Sequence, residues 1–314
     1  ITEYGGPNVL SMQTVHVQDP GPNEVRIHVV AAGLNRADIL QRRGLYPAPS
    51  SVVQDIPGLE YAGTVMDIGS DVSRWQPGDR VMGIVGGGSM ATHVLVHEQE
   101  VLPVPDTISL EAASAIPEAF ITAYDALFHQ ASLRANESVL IHAVGSGIGT
   151  AATQLANATE AIVYGTSRTR SKLERCKEFG LQHPIHVTDG TFSANVAFDV
   201  ILDLVGGSYA RENFRAIAQK GRIVTIGLLG GTKESIPIQV LMQKRVIWRG
   251  SVLRSRPLEE KIELIQSFES QIIPLFQQGR IRPVVDHFLP MQNIREAHAS
   301  MEGNSTFGKL VLCW

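Results

Sequence analysis

The segment HAVGSGIGTAATQLA, His142 to Ala156, restricts the possible fold of this chain more than any other stretch. It follows Ser138 to Ala143, a short apolar run that is rich in branched residues. It leads into Thr150 to Ala156, where Ala and Leu recur at helical spacing. The order of these patterns predicts a strand, a tight glycine turn and a helix.

Gly145 and Gly147 occupy the first two positions of the G-x-G-x-x-G pattern of dinucleotide-binding turns. The missing side chains let the backbone turn sharply, and a pyrophosphate can approach the N-terminus of the following helix. Thr150 takes the third position, although Gly149 beside it also lacks a side chain. Because the match is partial, an ordinary glycine loop remains an alternative when the segment is considered alone.

Further short apolar runs follow the turn and alternate with helix-like stretches. One such stretch, Ser167 to Phe179, begins at a Ser that could cap it and stops at Gly180. This alternation is typical of buried parallel strands joined by crossover helices. It predicts a doubly wound Rossmann domain with further strands at Ala161–Tyr164, Phe198–Leu204 and Gly221–Ile226.

The end of the second strand indicates which dinucleotide binds. NAD-binding domains place an Asp or Glu roughly 20 residues after the first glycine, where it accepts hydrogen bonds from the ribose 2′-hydroxyl. Here the chain has no carboxylate until Glu174, and Ser167, Arg168 and Lys172 offer a hydroxyl and two cations instead. Such groups suit a 2′-phosphate, so the sequence predicts NADPH. The alternative is that Arg168 and Lys172 only form the solvated face of a helix.

Length and composition limit the remaining possibilities. The chain has 314 residues, more than one domain usually contains, so we expect two domains. A net charge of −4 and 44% hydrophobic residues describe an ordinary globular protein without a basic run for nucleic acid. No apolar stretch approaches the roughly 20 residues of a membrane helix and no signal peptide opens the chain, so we expect cytoplasmic residence. Cys176 and Cys313 lie too far apart in sequence for a zinc spacing pattern.

The regions before and after this α/β pattern look different. Short strand-like runs punctuated by Pro and Gly indicate a mostly antiparallel β domain near the N-terminus. Near the C-terminus, Pro257 to Gln278 has helical spacing, Pro283 to Pro290 is strand-like, and Lys309 to Trp314 forms a closing strand that we expect to return to the first domain. The N-terminal runs are Glu24–Val30, Gly63–Ile68, Asp79–Ile84 and Thr92–Val96.

Several dispersed motifs carry a resemblance to a known family: GLNRADILQRRGLYP (Gly33–Pro47), IPGLEYAGTV (Ile56–Val65), PGDRVMG (Pro77–Gly83), the glycine turn, DLVGGSY (Asp203–Tyr209) and LRSRPLEEKI (Leu253–Ile262). Along almost its whole length the chain resembles the medium-chain dehydrogenase/reductase superfamily, in particular its zinc-free, NADPH-dependent quinone oxidoreductases of the zeta-crystallin-like branch. The resemblance implies a GroES-like β-rich catalytic domain and a Rossmann domain, an active site in the cleft between them, and a homodimer. We place the catalytic domain at residues 1–116 and 256–314 and the NADPH-binding domain at 117–255.

The resemblance also implies that catalytic zinc is missing. Zinc alcohol dehydrogenases of this superfamily carry a Cys near the segment here occupied by Asn35 to Asp38, and Gly-His-Glu where this chain has Gly58-Leu59-Glu60. His93 and His97 would lie about 13 Å apart on an alternating strand, too far to share a metal ion. We therefore expect no metal site.

Without a Lewis acid to stabilise an alkoxide, the substrate must accept hydride readily. Quinones do so because they become aromatic, and activated alkenes such as enoyl thioesters or enones do so if the product enolate is protonated. The sequence favours an NADPH:quinone oxidoreductase. An enoyl or enone reductase and a non-enzymatic NADPH-binding protein remain alternatives.

The resemblance assigns roles to individual residues. Asn35 and Tyr46 are catalytic candidates near the nicotinamide, and Thr122 approaches the same ring. Tyr46 can offer its phenol hydroxyl as a donor, or it can be a packing residue of its loop. Ser146 is a catalytic candidate inside the phosphate turn, where the alternative is a small residue that the turn tolerates.

The remaining cofactor contacts come from the turn, from the C-terminal ends of later strands, where doubly wound sheets bind ligands, and from the C-terminal region. Lys309 matches a cofactor-side position of the family, whereas we interpret Glu60 as structural. Val187 stands where some relatives have a Tyr that stacks on the 2′-phosphate end, and Leu40 stands where some have a second cleft Tyr. The predicted cofactor-binding residues are Thr122, Ala143, Gly145, Ser146, Gly147, Ile148, Gly149, Ser167, Arg168, Lys172, Asp203, Val205, Gly227, Leu228, Leu229 and Lys309.

Overall fold

The computed structural model describes residues 1–50, 52–188, 191–192 and 196–314. Its strands are β1 Glu24–Leu34, β2 Glu60–Ile68, β3 Arg80–Ile84, β4 His93–His97, β5 Val101–Pro103, β6 Ser138–Ile141, β7 Ile162–Ser167, β8 His183–His186, β9 Phe198–Asp203, β10 Ile217–Thr225, β11 Ile247–Gly250, β12 Val285–Pro290 and β13 Lys309–Cys313. Its α-helices are α1 Arg36–Arg42, α2 Leu110–Ala113, α3 Thr122–Tyr124, α4 Gly147–Ala158, α5 Arg170–Cys176, α6 Ala210–Ala216, α7 Ile238–Lys244, α8 Leu258–Gln277 and α9 Ile294–Glu302. Residues Pro117–Ile121 and Asp125–Gln130 form π-helical turns.

The chain divides into two compact units. The first contains residues Ile1–Ile121 and Leu253–Trp314, and the second contains Thr122–Val252.

The first unit is built on a mixed sheet in the order β12-β13-β1-β2-β3-β5, with β4 also paired to β1. The pairs are antiparallel except for β12 with β13. One face of β1 and its neighbours buries Val25, Ile27 and Val29 against Tyr61 and Val81. A second apolar cluster joins the end of β1 and β13 to α1 and α9. These elements form the GroES-like, β-rich part that the sequence predicts.

The second unit is a parallel sheet in the order β11-β10-β9-β6-β7-β8. Read from the other edge, and numbered along the chain within this unit, the order is 3-2-1-4-5-6, that of a dinucleotide-binding Rossmann domain. The central strands bury Val139, Leu140, Val200 and Ile201 completely, as strands covered on both faces require. The α/β class and the doubly wound sheet are therefore confirmed.

Some boundaries differ from the sequence-based expectations. The helix predicted from Ser167 begins three residues later, because β7 continues to Ser167 and the Ser167 hydroxyl accepts a hydrogen bond from the Thr169 amide. It ends as expected, since Gly180 adopts a left-handed φ of 100°. Strands β5, β8 and β11 lack a sequence prediction because they are short or polar.

None of the helices within the described part of the chain is long and apolar enough to cross a membrane.

Candidate functional site

The glycine turn joins β6 to α4 in the second unit. Ala143 has a φ of 47°, a left-handed conformation that is uncommon for a residue with a side chain. Ser146 is the N-cap of α4, and its hydroxyl accepts a hydrogen bond from the Gly149 amide at 3.0 Å. Ser146, Gly147 and Ile148 are partly exposed, so the N-terminus of the 12-residue helix α4 is accessible. This arrangement is suited to binding a phosphate.

Gly149, rather than Thr150, is the glycine that close packing requires. A Cβ atom at Gly149 would lie 2.5 Å from the Ala143 carbonyl oxygen and 2.6 Å from the Val144 carbonyl oxygen. Thr150 instead donates its hydroxyl proton to the Gly147 carbonyl oxygen. Gly149 therefore supplies the close helix–strand approach that the third glycine gives in the full pattern, which explains why a partial match forms the complete turn.

A buried polar network lies beneath the ends of the central strands. Asp203, the last residue of β9, accepts hydrogen bonds from the Val205 and Gly206 amides at 2.9 Å each. Asn213 donates to the other Asp203 oxygen, and its amide oxygen lies 2.7 Å from Nε2 of His142. Burial lowers the pKa of His142, which keeps the ring neutral. The network fixes the backbone turn after β9 in one conformation.

The turn after β9 lies so close to the loop after β10 that both segments need glycine. A Cβ atom at Gly227 would lie 2.4 Å from the Leu204 carbonyl oxygen, and one at Gly207 would lie 2.3 Å from the Gly230 carbonyl oxygen. Leu228 and Leu229, directly after Gly227, are 56% and 59% exposed. The loops after β9 and β10 thus pass close to one another and leave two large apolar side chains accessible.

The end of β7 carries the residues that predict the cofactor. Ser167 is half-buried, Arg168 is exposed, and the Arg168 carbonyl oxygen lies 3.1 Å from Nε2 of His186. Lys172 is half-buried on α5. Burial raises the pKa of Tyr209, while the Arg168 charge acts in the opposite direction.

Thr122 is the first residue of α3. Its hydroxyl is buried and lacks a hydrogen-bond partner among the residues that the structure describes. An unpaired buried hydroxyl costs free energy, so a bound group that pairs with it would be favoured.

In the first unit, Asn35 and Lys309 form one buried cluster with Glu60. The Lys309 ammonium contacts the Leu34 carbonyl oxygen at 2.9 Å, and Oδ1 of Asn35 and Oε1 of Glu60 at 2.5 Å each. The Asn35 amide nitrogen donates to the same Glu60 oxygen at 2.9 Å. The other Glu60 oxygen accepts from the Glu118 amide at 2.8 Å. The Asn35 amide is thereby held in a single orientation by Glu60 and Lys309.

Asp38 fixes the backbone around Asn35. One of its oxygens accepts from the Asn35 amide and the other from the Gly58 amide, both at 2.8 Å. Burial raises the pKa of Asp38 to about 6, although the hydrogen bonds to these amides act in the opposite direction. The Asn35-x-x-Asp38 spacing is that of a capping box, a sequence signal that could have identified Asp38 in advance.

Tyr46 lies half-buried in the loop after α1, and Arg254 stacks on it. The guanidinium carbon is 5.0 Å from the centre of the Tyr46 ring. Burial raises the pKa of Tyr46, the Arg254 charge lowers it, and Glu118 adds to the increase. The phenol is therefore neutral and can donate a hydrogen bond at physiological pH.

The structure thus brings Asn35 together with Lys309 in the first unit, and in the second it places the glycine turn and the loops after β9 and β10 at the carboxyl ends of neighbouring parallel strands. It also shows functional candidates that the sequence did not, namely Glu118, Arg254, His142 and Asn213. Arg254 belongs to one of the family motifs, but spacing alone gives no sign of its contact with Tyr46. Among the described residues no group of three or more His, Cys, Asp or Glu side chains is arranged to hold a metal ion.

Comparisons with known proteins agree with this geometry. Two family models match, the "Alcohol dehydrogenase GroES-like domain" at residues 21–106 and the "Zinc-binding dehydrogenase" at residues 179–312. The synaptic vesicle membrane protein VAT-1 homolog of Rattus norvegicus is 31% identical over 99% of this chain and 82% of its own length. A quinone oxidoreductase of Pseudomonas aeruginosa is 30% identical over 98% of this chain and 97% of its own length.

Solved structures show the same relationship. The Escherichia coli quinone oxidoreductase complexed with NADPH is 26% identical, with a TM-score of 0.88 over 99% of this chain and 98% of that one. The CurK enoyl reductase is 28% identical, with a TM-score of 0.87 over 100% of this chain and 97% of that one. Both units carry the features of this fold, and the second has the glycine turn that binds a nicotinamide dinucleotide. The chain belongs to the medium-chain dehydrogenase/reductase superfamily, as an oxidoreductase related to its quinone oxidoreductases.

Proposed function

We propose that this protein reduces quinones with NADPH by direct hydride transfer. The observation that carries the proposal is the neutral Tyr46 phenol, a hydrogen-bond donor fixed by Arg254 in a chain that matches a quinone oxidoreductase along nearly its whole length. A donor of this kind can orient a quinone oxygen through a hydrogen bond. The chemistry needs no covalent bond to the protein.

Bound NADPH supplies the hydride, and the protein supplies binding and orientation. We assign the pyrophosphate to the turn of Ala143, Gly145, Ser146, Gly147, Ile148 and Gly149, and the loops of Asp203, Val205, Gly227, Leu228 and Leu229 to the rest of the dinucleotide. The unpaired Thr122 hydroxyl would gain a partner from the nicotinamide end. Tyr46 donates to the acceptor oxygen, and Asn35 forms a polar wall of the site. Lys309 and Glu60 hold the Asn35 side-chain amide in place.

The main alternative is reduction of an enoyl thioester or enone, which the likeness to the CurK enoyl reductase favours. In that reaction Tyr46 must protonate an enolate, and a positioned general acid typically contributes about 10² to 10⁴ in rate. A reduced quinone spreads its negative charge over the ring and can take its proton from water. For a quinone, Tyr46 therefore contributes only a neutral hydrogen bond, about 0.5 to 1.5 kcal/mol.

The Tyr46→Phe variant separates the two reactions because it removes the hydroxyl and keeps the ring. We expect kcat/KM with the best quinone to fall by no more than about tenfold. The measurement compares ortho-quinones, para-quinones, enones and an enoyl-CoA at saturating NADPH, with Tyr4→Phe as the control because Tyr4 is 70% exposed. A loss near a thousandfold on the best quinone would favour the alkene reductase instead.

The preference for NADPH rests on Ser167, Arg168 and Lys172 at the end of β7. This segment contains no carboxylate that would repel a 2′-phosphate. Arg168→Ala should weaken NADPH binding by about 1.5 to 3 kcal/mol, the range for a hydrogen bond to a charged group. Binding of NADH should change little. Arg170→Ala, an exposed arginine two residues away, is the matched control. Equal affinity of the unmodified protein for the two cofactors would refute the assignment.

We also propose a homodimer that forms through the β11 edge of the second sheet. This strand pairs only with β10 in the described sheet order, and Ile247 and Trp248 on it are 46% and 41% exposed. Ile238 and Met242 on the preceding helix α7 are also exposed. An open apolar edge of this kind favours pairing with a second chain. Cytoplasmic residence stays a prediction from the sequence.

A further inference from the structure

Arg254 links three separate segments of the first unit. Its Nε donates to the Gly86 carbonyl oxygen at 2.6 Å, Nη1 to the Tyr46 carbonyl oxygen at 3.1 Å, and Nη2 to Oε1 of Gln41 at 2.5 Å. These acceptors belong to the loop after β3, the loop after α1, and α1 itself. A planar guanidinium can serve three acceptors in different directions at once, which an ammonium on a flexible stem cannot do equally well.

The contacts of Arg254 restrict both the backbone and the ring of Tyr46. The carbonyl contact holds the main chain, and the stacked guanidinium covers one face of the ring. At the start of the loop, the Gly44 and Leu45 amides donate to carbonyl oxygens of α1. Beyond Tyr46, the Gln54 side chain donates to the Pro49 and Val52 carbonyl oxygens. Arg254 thus holds the loop at Tyr46, between these two anchored ends.

We propose that Arg254 is a positioning residue that sets the direction of the Tyr46 hydroxyl and acts on the substrate only through Tyr46. This inference rests on the proposed function, in which the hydroxyl donates to the acceptor oxygen. Because the guanidinium stacks on the ring and also donates to the Tyr46 carbonyl oxygen, it restricts both the ring plane and the main chain, and so the direction in which the hydroxyl can donate. The charged groups that influence the phenol are Arg254, which stabilises its ionised form, and Glu118, which opposes ionisation.

A limit on the size of the effect follows directly. If Arg254 acts through Tyr46, its removal cannot cost more than removal of the hydroxyl, which is about tenfold for a neutral hydrogen bond to a quinone. Removal of Arg254 must also lower the rate very little in a variant that already lacks the Tyr46 hydroxyl. A double-mutant cycle therefore distinguishes positioning from an independent role.

The first experiment measures kcat and KM with the best quinone for Arg254→Met and Arg254→Lys, each with Tyr46 and with Tyr46→Phe. We expect Arg254→Met to lower kcat by about three- to tenfold beside Tyr46 and by less than about twofold beside Phe, with Arg254→Lys between these values. Arg256→Met, two residues away, is the control for loss of an arginine. Equal losses in the two backgrounds, or a loss greater than that of Tyr46→Phe, would overturn the proposal.

The second experiment needs no substrate, so it remains valid even if quinones are not the acceptors. The protein is labelled with 13Cζ-tyrosine, the Tyr46 resonance is identified by its absence from Tyr46→Phe, and its ionisation is followed by NMR. Because the Arg254 charge favours the phenolate, Arg254→Met should raise the Tyr46 pKa, whereas Arg254→Lys should raise it less and Arg256→Met should leave it unchanged. An unchanged Tyr46 pKa in Arg254→Met would overturn the proposal. A shifted pKa together with an inactive quinone panel would contradict only the proposed function.

Discussion

At the scale of single residues, Glu118 has the most unusual ionisation among the site candidates. Burial raises the pKa of its carboxyl group to about 8, and the charges of Glu60 and Asp38 increase the shift. Lys309 and Arg254 act in the opposite direction. At neutral pH the folded protein therefore holds a proton on Glu118 that the unfolded chain releases.

This proton links stability to pH. Because the folded-state pKa exceeds the unfolded value of 4.5, the folded state binds more protons between about pH 4.5 and 8, and the free energy of unfolding falls as pH rises through this window. Glu118→Gln cannot ionise, so it should reduce this fall by about 1 to 3 kcal/mol. Urea unfolding at several pH values from 5 to 9 measures the difference. Glu260→Gln, at an exposed position on α8, is the control, and identical pH profiles for the unmodified protein and Glu118→Gln would contradict the prediction.

Single residues also show how far sequence reasoning reaches. The family motifs point to Asn35 and Lys309 separately, but not to their contact, because the two are 274 positions apart and meet only when β13 pairs with β1. The same holds for Arg254 and Gln41, which are 213 positions apart. Local patterns can identify residues that cap or turn the chain, whereas contacts across a sheet depend on the completed fold.

At the scale of elements, the join between β6 and α4 depends on the absence of one side chain. Gly149→Ala would place a methyl group 2.5 Å from the Ala143 carbonyl oxygen, so the helix must move away from the turn. We expect a loss of about 1 to 3 kcal/mol of stability together with weaker NADPH binding. Thermal unfolding and cofactor titration measure the two effects. Gly250→Ala in the same unit is the control, because a Cβ atom there meets nothing within 4 Å, and equal behaviour of the two variants would refute the packing argument.

The elements that sequence patterns predict are those with a regular pattern of burial. Strands β6 and β9 are largely apolar because they lie inside the parallel sheet, and α8 keeps its helical spacing over 20 residues. Strands β8, with the sequence HPIH, and β11, whose four residues are all exposed, lie at the two edges of that sheet. An edge strand pairs on one side only and needs no apolar pattern, so its position follows from its neighbour rather than from its own residues.

At the scale of the whole molecule, the open β11 edge predicts the state of association. We expect sedimentation velocity to give twice the chain mass of 34.1 kDa for the unmodified protein. Met242→Glu with Ile247→Glu places two negative charges at exposed apolar positions of the proposed interface and should shift the equilibrium toward the monomer. The control is Phe288→Glu, an equally drastic change at a 51% exposed position of the first unit. A monomer in the unmodified protein, or a dimer that survives the double substitution unchanged, would refute the proposed interface.

The pairing of β13 between β12 and β1 has a consequence for synthesis on the ribosome. The first unit begins at residue 1, yet one of the strands paired with β1 is Lys309–Cys313, so the nascent chain cannot complete this sheet until those residues have emerged. The second unit is continuous from Thr122 to Val252 and has all its strands earlier. The cofactor-binding half should therefore become protease-resistant first during translation, while β1 to β5 wait with an unpaired edge for the last strand to arrive.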